Sequence, residues 1–294
     1  MSRQLELGSG TPTTIETGRG PIAALQAGAS DGIPVLLVPG FTGSKEDFGP
    51  LLDPLAAAGL RPVAIDLPGQ FESPPPATPS LAGGPPPGPD DPAAYSTEAL
   101  GACVRAVAAT LGGRVHLVGH SFGGLVGRAA VLADPAAFAS FVLMDSGPAA
   151  LTGPRAERIA LLAPHLPTLG VAGVYQASEA AAASEPGYVP PPADLAAFLE
   201  KRFLAGSAAM LQGMGDALLA EPDRVAELAA TGVPLLVIYG AADDAWPPPV
   251  QDEMAERLGA PVVAVPDAAH SPAVENPPVT AAALVEFWQR VGRG

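Results

Sequence analysis

Cysteine and lysine are both scarce in this sequence of 294 residues. Cys103 is the single cysteine, which excludes an intrachain disulfide and a metal site built from several thiolates. The only lysines are Lys45 and Lys201, and acidic residues outnumber basic ones, so the formal net charge is -15. Nucleic-acid binding depends on attraction to phosphate, and no run of Lys or Arg offsets this charge. We therefore expect no nucleic acid among the partners.

Long apolar runs and cofactor motifs are also missing. No stretch of about eighteen uninterrupted apolar residues occurs, and the N-terminal MSRQLELGSG has no apolar core of a signal peptide. The sequence therefore predicts a cytoplasmic protein that does not bind a membrane. No G-x-G-x-x-G follows a strand, and G-x-x-x-x-G-K-[ST] and H-E-x-x-H are absent. We expect no cofactor and no metal, and the sequence leaves the oligomeric state open.

Seven short apolar segments are present, and segments with helical periodicity separate them. Their unbroken Val, Leu and Ile content predicts strands that are buried on both faces, as in a mostly parallel sheet covered by helices. The sequence therefore predicts an α/β fold. The segments are PIAALQA from residue 21, PVLLVPG from 34, PVAIDLPG from 62, VHLVGH from 115, FVLMDSG from 141, PLLVIYG from 234 and PVVAVPDA from 261.

Two segments interrupt this alternation. Residues 72–92 contain nine prolines, so they cannot form a helix or a central strand, and we expect a surface loop. Residues 147–231 separate two predicted strands by about four helical stretches, which is too long for a crossover helix. We expect this insertion to be a helical cap, or lid, over the strand ends. Residues 1–146 and 232–294 would then form the core.

The spacing G-x-S-x-G, which can mark a serine nucleophile, occurs twice. GASDG at residues 28–32 is followed at once by an apolar segment, so Ser30 is interpreted as a turn residue between two strands. GHSFG at residues 119–123 follows the strand VHLV and precedes GLVGRAAVLADP, whose apolar residues have helical spacing. A strand, a sharp turn and a helix form the nucleophile elbow, in which glycines relieve clashes and the helix N-terminus stabilises negative charge. The sequence therefore predicts Ser121 as a nucleophile.

A serine hydroxyl needs a general base, and four histidines are available. His116 lies inside a predicted strand, and His165 belongs to the insertion. His120 is next to the predicted nucleophile and is expected to shape the core or the pocket. His270 follows the last predicted strand, in VPDAAHSPAVENP, and so lies at the same edge of the sheet as Ser121. We therefore predict His270 as the base.

The acid that orients the base is expected at another strand end of the same edge. The segment PLLVIYG runs into AADDAWPPP, which offers Asp243 and Asp244 and gives the chain order Ser, Asp, His. Asp66 and Asp145 also end strands, but they lie before the elbow or too close to it, so we interpret them as turn or capping residues. Consecutive side chains leave the backbone in different directions, so only one of the two neighbouring aspartates can face His270.

These segments together resemble the α/β-hydrolase fold superfamily, in particular its esterases, lipases and related hydrolases with a helical cap. The resemblance runs from residue 21 to the end through five ordered motifs: VPGFTGS, DLPGQFES, GHSFGG, YGAADDAWP and DAAHSPAVENP. It implies an eight-stranded, mostly parallel sheet. The sequence departs from the usual pattern at Pro39, where the family usually has His, and at Gln70, where His is common.

The resemblance also implies roles for residues outside the predicted triad. It places an oxyanion hole at the backbone N–H groups of Phe41 and Phe122. The substrate pocket is expected at Gly40, His120 and Trp246.

The family register G-x-x-D-x-x-x-P selects Asp243 as the acid, because Gly240 and Pro247 stand three residues before it and four residues after it. Asp244 would then be a solvent-facing loop residue or a neighbour of the site.

The activity that this resemblance implies is hydrolysis of a small to medium carboxylic ester through an acyl-enzyme. Ser121, Asp243 and His270 would form the catalytic triad, and the partner would be a small-molecule ester. The same triad serves lactonases, thioesterases, carbon-carbon bond hydrolases and perhydrolases, so these remain alternatives. A non-catalytic binding protein of the same fold is a further alternative, although such proteins typically lack a triad member.

Overall fold

The structure of the protein is a computed structural model that describes residues 5–76, 88, 90–185 and 187–292. Within these residues the chain forms one eight-stranded sheet, in the order β1-β2-β4-β3-β5-β6-β7-β8. The β1–β2 and β2–β4 pairs are antiparallel and the other five pairs are parallel. The predicted α/β fold with a mostly parallel, eight-stranded sheet is confirmed. The strands are β1 (Thr11–Thr17), β2 (Gly20–Gln26), β3 (Ile33–Val38), β4 (Leu60–Ile65), β5 (Val115–His120), β6 (Phe138–Met144), β7 (Leu235–Gly240) and β8 (Val262–Val265).

The seven apolar segments of the sequence correspond to β2 through β8. Two of the inner strands, β5 and β7, are buried at every position, as unbroken apolar runs predict. β1 is not predicted by this pattern, because its sequence TPTTIET is polar and mostly exposed. It lies at the edge of the sheet and pairs only with β2. β1 is therefore a strand because of its hydrogen bonds to β2 and not because its side chains are buried.

Helices cover both faces of the sheet. Leu36 of β3 packs in a core with Val104 and Leu125, whereas the next residue, Leu37, packs in a second core with Leu284. Successive strand residues therefore enter opposite layers. Among the described residues the helices are α1 (Gly49–Ala57), α2 (Thr97–Leu111), α3 (Phe122–Ala133), α4 (Pro154–Leu162), α5 (Leu166–Ala183), α6 (Ala193–Leu204), α7 (Ala208–Ala220), α8 (Val225–Ala229), α9 (Pro248–Leu258), α10 (Pro272–Glu275) and α11 (Pro277–Val291).

Five of these helices, α4 to α8, lie between the end of β6 and the start of β7. They fall within residues 147–231, which we call the inserted segment. Met214 and Leu218 of α7 are buried in the same core as Leu36, so this segment is packed onto the sheet layer. α5 contains a kink at Gly170, where φ is 65°.

Local sequence signals mark two helix starts. The Ser96 hydroxyl caps α2 by accepting the N–H of Ala99 at 3.2 Å, as Ser at this position predicts. The capping box of Ser44 and Asp47 is also present, but it begins a 3-10 turn over Lys45–Phe48 that precedes α1. The helix expected after this box therefore starts at Gly49 and ends at Ala57, just before Gly59.

No single helix in the described ranges is long and apolar enough to cross a membrane; only α6 and α7 taken together, bent by 93°, reach that length and hydropathy. Most of the proline-rich segment at residues 72–92 lies outside the described residues, which omit 77–87 and 89. The surface loop expected there stays a prediction.

Candidate active site

Ser121 lies in a strained turn between β5 and α3. Its backbone angles are φ 54° and ψ -122°, a backbone conformation that residues other than glycine seldom adopt. A Cβ atom at Gly119 would lie 2.3 Å from the carbonyl oxygen of Gly123, and one at Gly123 would lie 2.4 Å from that of Val38. Both glycines of GHSFG are therefore required by the close approach of the backbone, and the turn presents Ser121 at the carboxyl end of β5.

Ser121, His270 and Asp243 form a continuous hydrogen-bonded chain. The Ser121 Oγ atom lies 2.9 Å from Nε2 of His270, and Nδ1 of His270 lies 2.8 Å from Oδ1 of Asp243. An ionised carboxylate only accepts hydrogen bonds, so Nδ1 carries the proton and Nε2 is left to accept the hydroxyl proton. The structure thus brings together three residues predicted from three separate loops, in the tautomer that a general base needs.

The carboxylate of Asp243 is buried and held by further donors. Its Oδ1 atom also accepts the backbone N–H of Ala245 at 2.9 Å, and its Oδ2 atom accepts Nε2 of Gln251 at 2.8 Å. The Gln251 amide in turn donates to the carbonyl oxygen of Trp246 at 2.6 Å. These bonds fix the orientation of the carboxylate against His270.

Asp244 faces away from this chain. Its side chain is 63% exposed and forms a two-point contact with Arg155, at 2.7 Å and 3.0 Å. Partial burial favours the protonated acid, but the hydrogen bonds and charge of Arg155 outweigh it and lower the pKa of Asp244. Of the two neighbouring aspartates, Asp243 is therefore the one that hydrogen-bonds to His270.

A further buried carboxyl group, Asp145, lies beside Asp243. Its Oδ1 atom accepts the N–H of Gly240 at 2.8 Å, and its Oδ2 atom has no hydrogen-bond partner among the described residues. Burial, and then the charge of Asp243, raise the pKa of Asp145 well above its usual range. The sequence indicates a turn or capping residue here, and in the structure Asp145 directly follows β6 and accepts the N–H of Gly240, the last residue of β7.

Asp145, Asp243 and His270 are also the one group of described His, Cys, Asp and Glu residues whose ligand atoms all lie within 4.8 Å of one another, close enough to hold a metal ion. The Nδ1 atom of His270 is already hydrogen-bonded to Asp243, so a cation at this point would compete with that bond. The donor set therefore fits proton transfer better than metal binding.

The backbone N–H groups of Phe41 and Phe122 are those that the resemblance assigns to the oxyanion hole, and Phe41 lines the same cavity as Ser121. Phe122 follows Ser121 directly and begins α3, where N–H groups have no acceptor within the helix. Gly40 packs against the serine, since a Cβ atom there would lie 3.1 Å from Cβ and 3.5 Å from Oγ of Ser121. The N–H of Phe41, in the next peptide, donates to no described backbone carbonyl. The oxyanion hole at these two N–H groups stays a prediction.

Gly40, His120 and Trp246 all line one cavity together with Ser121 and His270. The Nε2–H group of His120 donates to the backbone carbonyl of His270 at 2.6 Å. Burial, and then the neighbouring His270, lower the pKa of His120 to about 4, so its imidazole is neutral near pH 7. His120 therefore holds the backbone at His270 in place and does not take a proton from Ser121.

Neither of the other two histidines lines this cavity. His165 is exposed in the inserted segment. His116 is buried in β5, where its Nδ1 atom lies 2.8 Å from the Ser140 hydroxyl and its ring packs beside Trp288. Burial, followed by the charge of Arg114, lowers the pKa of His116 to about 4.

This lowered pKa predicts acid sensitivity of the fold. Between about pH 6.5 and about pH 4, His116 is neutral in the folded chain and protonated in the unfolded chain, so stability is lost as the pH falls through that range. We expect His116→Asn to reduce the drop in unfolding free energy between pH 7 and pH 5 by about 1 to 2 kcal/mol. Urea denaturation at both pH values measures this drop, and equal drops in the two proteins would contradict the assignment.

The cavity beside Ser121 has a volume of about 770 Å³. This is the size of an ordinary small-molecule pocket. The inserted segment provides much of its wall, and most of those side chains are apolar. The apolar ones are Leu151, Pro154, Ile159, Leu162, Ala163, Leu166, Val174, Phe203, Leu211 and Leu218, and the polar or charged ones are Arg155, Arg158, Ser178, Glu185 and Arg202.

Charged pairs connect the inserted segment to the sheet layer around this cavity. Arg155 of α4 contacts Asp244, and Arg202 of α6 contacts Asp47 at 2.6 Å. The Arg155 pair is exposed and contributes little, whereas both side chains of the Arg202 pair are close to buried. All four residues line the cavity.

Three buried polar side chains near the site are not predicted as site residues by the sequence: Gln70, Asp145 and Gln251. For Asp145 the signal is its position at a strand end, and for Gln70 it is the motif DLPGQFES. No local pattern indicates that Gln251, on α9, reaches Asp243.

Comparison with known families decides the classification. The family model described as "Alpha/beta hydrolase family" matches residues 35–283, which contain the whole hydrogen-bonded chain. The chain belongs to the alpha/beta hydrolase family. The resemblance derived from the five sequence motifs is thereby confirmed, and membership of this family supports a hydrolase.

Individual relatives of this alpha/beta hydrolase cover the chain to different extents. A protein of Variovorax paradoxus (strain S110) that bears the name of a carbamate hydrolase, RutD, is 37% identical over 120 residues, which is 40% of this chain and 40% of that protein. A carboxylesterase structure from Nitrososphaera gargenis has a TM-score of 0.75 at 18% identity and covers 96% of this chain and 99% of its own. The enol-lactonase of Burkholderia xenovorans LB400 has a TM-score of 0.73 at 21% identity, covering 94% and 100%. At such identities the two structures show the shared fold.

Proposed function

We propose that this protein is a serine hydrolase that cleaves small to medium carboxylic esters through an acyl-enzyme. Ser121 is the nucleophile, His270 the general base and then the general acid, and Asp243 the group that orients His270. One observation carries this proposal: Ser121 Oγ, the His270 imidazole and the Asp243 carboxylate are joined by hydrogen bonds of 2.9 Å and 2.8 Å.

The reaction proceeds in two halves on these groups. In the first, Oγ of Ser121 bonds to the ester carbonyl carbon while Nε2 of His270 takes the hydroxyl proton. The negative charge moves to the carbonyl oxygen, where the N–H groups of Phe41 and Phe122 stabilise it. When the carbon–oxygen bond to the alcohol breaks, His270 returns the proton to the leaving alkoxide, and the acyl group stays on Ser121.

Water completes the second half. His270 takes a proton from a water molecule, whose oxygen bonds to the acyl carbon. His270 then returns this proton to Oγ of Ser121 as the bond between Oγ and the acyl carbon breaks, which releases the carboxylic acid and restores the serine. The Asp243 carboxylate stabilises the imidazolium that forms in both halves and keeps its ring in place. The strained backbone of Ser121 supports this role, because such strain is commonly kept where function requires it.

The inserted segment is proposed to act as a cap that limits the length of the acyl chain. Its apolar side chains, among them Leu162, Leu166 and Phe203, face the cavity that contains Ser121. These apolar side chains favour an aliphatic or aromatic acyl group where they line the cavity, and a cavity of about 770 Å³ holds a ligand of limited size.

A series of p-nitrophenyl esters from acetate to palmitate tests the proposed substrate class. We expect kcat/KM to be highest between butyrate and octanoate and at least about tenfold lower for palmitate, because a long chain cannot be enclosed beneath the cap. Equal or faster turnover of palmitate would contradict the cap proposal while leaving the ester chemistry intact. Assays of a lactone, a thioester and a carbamate in parallel would show whether one of these, rather than an ester, is the preferred substrate.

A further inference from the structure

Gln70 lies behind the proposed oxyanion hole, on the turn that follows β4. Its side chain is buried and all its polar atoms are paired. Oε1 accepts the backbone N–H of Leu67 at 3.1 Å, and Nε2 donates to the carbonyl oxygens of Gly40 and Phe41 at 2.7 Å and 2.9 Å. Leu67 N–H can only donate and the two carbonyls can only accept, so the amide has one orientation that satisfies every partner.

These two carbonyls belong to the peptides on either side of Phe41. In a trans peptide the C=O and N–H bonds point in opposite directions, and the residues that the structure describes include no cis peptide bond. The bond from Gln70 to the Gly40 carbonyl therefore fixes the direction of the Phe41 N–H, which belongs to the same peptide plane. The bond to the Phe41 carbonyl fixes the following plane, so both backbone angles of Phe41 are restrained.

Few other hydrogen bonds restrain the carbonyl groups of Gly40 and Phe41. The Gly40 carbonyl also accepts the N–H of Gly43 at 3.1 Å, within the turn that follows β3. Within the part of the chain that the structure describes, Gln70 is the one hydrogen-bond donor to the Phe41 carbonyl. Gln70 does not line the cavity beside Ser121, so it has no contact with substrate there.

We propose that Gln70 is a positioning residue for the oxyanion hole: by clamping the Gly40 and Phe41 carbonyls with one amide, it aims the Phe41 N–H at the oxygen that becomes negative during acyl transfer. This inference rests on the proposed serine hydrolase function. Loss of this positioning by Gln70 is expected to affect the transition state and not substrate binding. Substrate binding does not need the donor to be aligned with a developing charge, whereas stabilisation of the tetrahedral intermediate does.

Two variants separate the donor role of Gln70 from its acceptor role. With its carboxyl group ionised, Gln70→Glu keeps an oxygen for Leu67 but has no donor for either carbonyl, and Gln70→Met loses the donors and the acceptor. We expect both variants to lower kcat about 10- to 100-fold with little change in KM, since removal of one oxyanion donor costs about 10² to 10³ in kcat and here the donor is only misdirected.

The affinity for an inhibitor that mimics the tetrahedral intermediate is a second measurement, and a general loss of stability would not change it. A trifluoromethyl ketone forms a hemiketal with a serine oxygen and places an oxyanion where the ester oxygen would be. Its affinity is expected to fall in both variants by the same factor as kcat. Gln212→Glu, which adds the same charge at a partly exposed position of α7 away from the cavity, is the matched control and should leave kcat and inhibitor affinity unchanged.

Several results would overturn the proposal. Full kcat and inhibitor affinity in Gln70→Glu would show that its donors do not position the hole, and a defect confined to Gln70→Met would assign only the bond to Leu67. A change in KM alone, or loss of the folded state in both variants, would assign Gln70 to substrate binding or to structure. Failure of the proposed function is distinguishable, because the unaltered protein would then neither hydrolyse esters nor bind the ketone.

Discussion

Replacing Ser121 with alanine is expected to lower kcat for a good p-nitrophenyl ester by about 10⁶-fold. The hydroxyl oxygen is the atom that forms the acyl bond, and without it His270 has no nucleophile to activate. Removal of a serine nucleophile costs about this much in a serine protease, where the remaining rate over water comes from the oxyanion hole and substrate binding. Steady-state kinetics of purified Ser121→Ala and unaltered protein measure the ratio.

Ser30→Ala is the matched control for this variant. Ser30 stands in the other G-x-S-x-G sequence, in the loop between β2 and β3, and it lines no part of the cavity beside Ser121. We expect its kcat to equal that of the unaltered protein. Ester turnover that survives Ser121→Ala, or that disappears with Ser30→Ala, would be incompatible with the proposed nucleophile.

The second large effect distinguishes the two neighbouring aspartates. Asp243→Asn is expected to lower kcat by about 10⁴-fold, because an amide in place of the carboxylate favours the wrong tautomer of His270 and leaves the imidazolium unstabilised. Asp244→Asn removes only a partly exposed contact with Arg155, so we expect a change of less than about tenfold. Both variants have the same chemical change at adjacent positions, so each controls for the other.

Kinetics on one ester decide between these aspartates. KM should change little in either variant, since neither carboxylate is proposed to bind substrate. The reverse ranking of the two kcat values would transfer the acid role to Asp244. Two equally small losses would mean that neither aspartate is required to orient His270.

The parts of this protein that the sequence predicts well are those decided by local sterics and burial. The unbroken apolar segments predict seven of the strands, because burial on both faces of a sheet leaves no room for alternation. The turn at Ser121 is equally local: Gly119 and Gly123 are needed where a Cβ atom would collide with nearby backbone. The order of Ser121, Asp243 and His270 along the chain then follows from the strand ends that share one edge.

The parts that the sequence does not predict depend on contacts that no local pattern indicates. Gln251 of α9 donates to Asp243, which lies eight residues earlier, and no periodicity in α9 distinguishes it from any other buried polar residue. Gln70 supports Phe41 across a separation of 29 residues. β1 is a strand because it pairs with β2, although its Thr-rich sequence has no buried face.

Covalent labelling with a fluorophosphonate tests the central claim most directly. The fluorine leaves as the serine oxygen bonds to phosphorus, so an activated serine gains one stable adduct whose mass and position can be read by peptide mass spectrometry. The proposed mechanism predicts one adduct per chain on the peptide that contains Ser121, full labelling of Ser30→Ala, and none of Ser121→Ala. An adduct on another residue, or undiminished labelling of Ser121→Ala, would contradict it.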